Sequence, residues 1–143
     1  MVKIIESNPR GGGGMITESS IQPRMTGSRL NELRSLKDGW LEGHGKAPSH
    51  DGLDWLADSF NRHYPDDLSL PFFYPTEGGG VQAEWSLSPY EITLEIDLAD
   101  RFGQWHCLNM ANDAEESEPL DLAFSGSWEW LIGRLRQMTG GAG

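Results

Sequence analysis

The side chains that could do chemistry in this chain are carboxylates set at alternating positions and a single thiol. Glu84 stands in VQAEWSL (residues 81–87), and Glu91, Glu95 and Asp97 stand in YEITLEIDL (residues 90–98), each on the polar side of an apolar–polar alternation. Carboxylates can share acid–base work when a pocket raises the pKa of one of them. Alternating residues on an open sheet face build no such pocket. Two readings suit them better: recognition of a positive surface, or simple solvation of the face. Five more carboxylates lie in ANDAEESEPLDL (residues 111–122), which reads as an acidic loop, and Glu115, Glu116 and Glu118 fall within it.

Cys107 is the only cysteine, so no internal disulfide can form, as suits a reducing compartment. A Cys–His–Asp nucleophile would need only that its members meet in space. Around Cys107, however, there is no glycine elbow and no base at informative spacing, so a buried, unreactive thiol is expected. His106 adjoins it, and neighbours on a strand point to opposite faces, so the two cannot share one ion. His44, His50 and His63 have no His or Cys at ligand spacing. No metal, cofactor or catalytic residue is expected. The run Gly78-Gly79-Gly80 lacks the Lys-Ser/Thr and the helix that follow in a phosphate loop. It reads as a turn whose glycines pass where a Cβ would clash.

The elements that must position these residues follow from periodicity. RLNELRSLK (residues 29–37) spaces Leu30, Leu33 and Leu36 as a helical stripe, with Ser28 as N-cap and Asp38-Gly39 as the stop. Trp40 is expected over the helix end, followed by a loop through Gly43, His44 and Gly45. Ser49 opens a second helix, residues 50–63, which Pro65 ends. Phe72 to Tyr74 form a short strand between Pro71 and Pro75. The two alternating segments then make a hairpin about Ser88-Pro89. Residues 104–110 are a further strand, and residues 128–138 a final helix capped by Ser127. Trp128 and Trp130, two apart, cannot share a helix face, so one of them, taken as Trp130, is a candidate contact residue. The order predicts one α+β domain over residues 29–138. Two N-terminal helices precede an antiparallel sheet of three to four strands, and a C-terminal helix packs on one sheet face. Residues 1–28 read as a flexible tail and 139–143 as frayed. Met15, directly after Gly11 to Gly14, and Met25 offer alternative starts, so no function is assigned to that tail.

Length and charge bound the rest. The 143 residues suit one domain with one core, and six Trp, five Phe and three Tyr supply bulk for it. The formal charge of -11 argues against a nucleic-acid binder, which needs clustered Lys and Arg. Residues 1–37 carry six basic and three acidic side chains, whereas residues 38–143 carry five and nineteen. The acidity thus belongs to the expected fold. No apolar run approaches the roughly 20 residues of a membrane helix, and residues 1–14 lack the apolar core of a secretory signal. The expected compartment is the cytoplasm.

The middle of the chain resembles a family of small uncharacterised bacterial proteins. Their pattern is a Leu-rich helix, GW(D/N)GxG followed by a proline, a second helix, and then P-x-x-x-GGVQLEW with an alternating strand. The matching pieces are Leu33, Leu36, Gly39-Trp40, Gly43-His44-Gly45 and Pro48, then Pro75, Gly79 to Trp85, and Leu94-Glu95-Ile96. The first motif departs from the pattern, with Leu41-Glu42 in place of a single Asp or Asn. The resemblance implies no activity. By analogy with small paired-gene and mobile-element products, it implies a binding or inhibitory role.

The expected function is therefore that of an acidic, non-enzymatic interaction protein, antitoxin-like or inhibitory, with a basic protein partner such as a toxin or a defence-complex subunit. The expected contact set is Glu84, Glu91, Glu95, Asp97, Glu115, Glu116, Glu118 and Trp130. Two alternatives stay open. One is a phage or mobile-element inhibitor of a CRISPR-type nucleic-acid-guided complex that mimics phosphate charge. The other is a small enzyme using Cys107 or the carboxylates.

Overall fold

In β2 (Val81–Leu87) and β3 (Tyr90–Asp97) each alternation resolves into two faces. Val81, Ala83 and Trp85 are buried with Ile92, Leu94 and Ile96, while Glu91, Glu95 and Asp97 are exposed. Burying a large aliphatic side chain contributes about 1.5–3 kcal/mol, so a one-residue slip would forfeit several such terms and bury carboxylates. The observed register pairs Trp85 with Ile92 and Leu87 with Tyr90 across the Ser88-Pro89 turn. The computed structural model that shows this describes residues 21–139, with side chains from Thr26 onward.

The remaining strands extend the hairpin on both sides. They are β1 (Phe72–Pro75), β4 (Phe102–Asn109) and β5 (Ala114–Asp121), and the sheet is antiparallel in the order β1-β2-β3-β4-β5. Five strands replace the three to four expected. The addition is β5, which occupies most of the stretch read as an acidic loop. Only Leu120 of this strand is buried, so no apolar alternation announces it. Pairing with β4 along its whole length holds it in place.

Three helices, α1 (Ile21–Arg34), α2 (His50–His63) and α3 (Ser125–Thr139), supply the rest of one core. Ser49 caps α2, its Oγ accepting from the Gly52 N–H at 2.9 Å. Gly52 is required there: a Cβ would come within 2.7 Å of Leu98 Cβ, so the first turn of α2 lies directly on the end of β3. Leu30, Leu33, Leu53, Leu56, Phe60, Leu131 and Leu135 meet the apolar side of the sheet. Phe60 sits edge-on to both Phe73 and Trp128. The indole N–H groups inside are all bonded: Trp85 to Tyr64 Oη, Trp105 to Glu116 and Trp128 to the Leu122 carbonyl. Tyr64 Oη in turn donates to the Ser69 carbonyl.

Three helix boundaries differ from expectation. The first helix ends at Arg34 and not at Lys37 before the Asp38-Gly39 stop, and Ser28, expected as its N-cap, lies inside it. Residues 21–28, assigned to the tail, are helical; Pro23 lies in the first turn of α1 as described, where a missing N–H costs no helix bond. The rest of the predicted tail, and residues 140–143, lie outside the described residues. The final helix begins at Ser125 and not after a Ser127 cap. No helix among the described residues is long and apolar enough to cross a membrane.

Candidate functional site

The described helices all serve the buried side of the sheet, so among the described residues no helix covers the opposite side. Antiparallel register arranges its residues in rows across the strands. One row runs Ser86, Glu91, Leu108, Glu115; the next runs Phe72, Glu84, Thr93, His106, Ser117. A third runs Tyr74, Gln82, Glu95, Gln104, Pro119, and the last runs Asp97, Phe102, Asp121. Six carboxylates thus face outward: Glu84, Glu91, Glu95, Asp97, Glu115 and Asp121. None of the five strands contains a Lys or Arg. Among the strand residues of this face only His106 can become positive, and it lies 3.1 Å from Glu115 Oε1; Lys46 and Arg29 reach the margins of the face from outside the strands.

Local bonds set how free each carboxylate is. Glu84 accepts from Gln82 Nε2 at 2.6 Å and Glu91 from Ser86 Oγ at 2.8 Å. Asp97 accepts the backbone N–H groups of Ala99 and Asp100, which fixes the turn into β4. Each retains unused acceptor capacity toward solvent. Three large apolar rings frame the acidic rows: Phe72 and Tyr74 on β1, and Phe102 on β4, all exposed. At the end of the face a groove of about 510 Å³ opens, lined by Lys46, Thr76, Glu95, Asp97, Phe102 and Gln104.

Of the eight expected contact residues, the structure brings Glu84, Glu91, Glu95, Asp97 and Glu115 onto this face. Glu116, Glu118 and Trp130 lie on the other side. Glu116 and Glu118 share their side of β5 with buried Leu120, opposite Cys107 and Trp105. Glu116 is held by the Arg134 guanidinium through Nη2 at 2.6 Å and Nε at 2.9 Å, and also accepts from Trp105 Nε1. Those hydrogen bonds from Arg134 lower the pKa of Glu116, and the same pairing raises that of Arg134. Trp130 is half-buried and stands edge-on to Trp105 at 5.4 Å. Asp121 was missed: once residues 114–121 form a strand, its parity with Glu115 puts it on the open face.

Cys107 lies in the core, and burial raises its pKa, with Glu116 adding to the effect, so the thiol stays protonated. The glycine-containing stretches 39–48 and 75–85 meet in space. Lys46 N–H donates to the Glu77 carbonyl at 2.8 Å, and the Trp40 ring lies against Gly45 while its Nε1 donates to the Lys46 carbonyl. A Cβ at Gly80 would collide with the Ile96 carbonyl oxygen, as the turn reading of the glycine run expects. His63, stacked on Trp128, has its pKa lowered by burial and by neighbouring Arg62. No known protein family, curated protein or solved structure matches this chain.

Proposed function

We propose that this chain is a non-enzymatic interaction protein, antitoxin-like or inhibitory, whose open sheet face binds a basic protein partner. The observation that carries the reading is the composition of that face. Six carboxylates stand on strands that contain no Lys or Arg, on the side that none of the described helices covers. A uniform field of one sign accelerates encounter with the opposite sign and rejects like-charged surfaces. Phe72, Tyr74 and Phe102 add rigid apolar contact area of the kind that anchors interfaces. The partner is a toxin or a subunit of a defence complex, one whose basic surface ordinarily holds nucleic acid in the second case.

The test compares the protein with its E84Q/E91Q/E95Q variant in capture experiments from the native cell at about 50 mM and 500 mM salt. A basic partner retained in stoichiometric amount at low salt, and lost tenfold or more in the variant or at high salt, supports the reading. Capture indifferent to both the substitutions and the salt removes it. Competition by duplex DNA or RNA for the captured partner then separates a charge-mimicking inhibitor from an antitoxin.

A further inference from the structure

The two edges of the sheet are treated differently. At β1, α1 packs alongside, and Arg29 Nη1 donates to the carbonyls of Leu70 and Pro71 while its guanidinium lies 4.3 Å from the Phe72 ring centroid. That edge is short and bounded by Pro71 and Pro75. The β5 edge is eight residues long and, among the described residues, pairs only with β4. The Leu122 N–H donates to the Arg101 carbonyl at 2.9 Å, which fixes the alternation along β5. Even-numbered residues bond to β4, and the backbone N–H and C=O groups of Glu115 and Ser117 point away from the sheet. Pro119, without an N–H, falls on the same outward set, where it loses no ladder bond. Among the described residues nothing hydrogen-bonds to the outward backbone of Glu115 or Ser117.

We infer that the β5 edge receives an extended segment of the partner as a sixth strand, a mode that rests on the basic-partner reading above. Backbone pairing to Glu115 and Ser117 would supply register. Charge complementarity selects the occupant. Glu115 stands on one side of the strand and Glu118 on the other, so the incoming strand carries basic residues on both of its faces. Beside this edge a cleft of about 290 Å³ is lined by Glu118, Pro119, Leu120, Phe124 and Trp130. Phe124 is 63% exposed, and the cleft takes one bulky apolar side chain of the same segment. A second copy of this chain is disfavoured, because its own β5 would set carboxylate against carboxylate.

The experiment uses the full chain and a synthetic valine-rich peptide that places lysines at both odd and even positions, hence on both faces of an extended strand, and carries one tryptophan. Amide NMR spectra and hydrogen exchange are followed for the protein and for Ser117→Pro, which deletes one outward N–H and leaves the charge unchanged. Expected are shifts and slowed exchange at Glu115 and Ser117, affinity at least tenfold weaker in S117P, and severalfold weaker in Phe124→Ala. F124A keeps the test decisive if S117P fails to fold. Shifts confined to Glu91, Glu95 and Gln104 overturn the edge mode while leaving the open-face reading standing. Equal binding of a peptide with glutamate for lysine overturns the choice of a basic occupant. A β5-dependent dimer without peptide overturns the proposal in favour of a second copy.

Discussion

Ile92, Leu94 and Ile96 alternate with Glu91, Thr93 and Glu95 along one strand, yet neighbours answer to different demands. The apolar set is at most 1% exposed and packs among helices and indoles. Its residues are fixed by volume, and each polar group near them is paired: Trp85 with Tyr64, Trp105 with Glu116, Glu116 with Arg134. The polar set meets water, and no cationic side chain of the strands balances its charge. Stability is therefore concentrated on one side of the sheet, and the residues of the other side are not fixed by packing. That separation lets substitutions one residue apart report on different properties.

The sharpest break would come from truncation on the packed side. Leu94→Ala is expected to cost about 2–5 kcal/mol by urea denaturation, from lost transfer energy and an unfilled cavity. If it costs no more than Glu95→Ala, the two sides do not differ as described. Next comes alkali. Burial raises the pKa of Tyr64 to about 12, so between pH 10 and 12 the unfolded chain releases a proton that the folded chain keeps. Stability should be intact below pH 10 and fall by roughly 2–3 kcal/mol as pH rises to 12. A stability–pH profile should show this drop, and Tyr64→Phe should remove it.

A smaller effect is expected at the margin of the packed side. Arg134 lowers the pKa of Glu116, so this pairing contributes above the ordinary glutamate value of 4.5 and is lost as pH falls through the lowered folded value. Because both side chains are partly exposed, Glu116→Gln should cost about 1 kcal/mol at neutral pH. It should also flatten the acid limb of the stability curve. Smallest of all, Glu95→Gln should change stability by about 0.5 kcal/mol or less. The same variant would sharpen the contrast by weakening partner capture at low salt.

The central hairpin was legible because its apolar residues recur at a period of two over sixteen residues, with a proline turn between the arms. Strand β5 was not. Glu115-Glu116-Ser117-Glu118-Pro119 has poor strand propensity and offers no apolar face, so only the vacant edge of β4 explains why it is extended. That one misreading scattered the expected contact set: as loop residues Glu115, Glu116 and Glu118 appeared equivalent, whereas strand parity sends Glu115 outward and commits Glu116 to Arg134. The start of α1 was hidden by Pro23, Gly27 and Ser28, each of which resembles a stop or a cap when no tertiary contact is in view. Helical geometry alone puts Trp128 and Trp130 on different faces without saying which is buried; Trp130 is the half-buried one.

The lack of cationic side chains on the strands also governs how the protein can be cut. Between Arg62 and Arg134 the sole trypsin target is Arg101, exposed in the β3–β4 turn at φ 56°. Tryptic nicking of the native sheet is therefore confined to one hinge point. It would leave β1–β3 and β4–β5 as two fragments held together by their ladder, and protection of Arg101 in a complex would mark a partner reaching that end of the sheet.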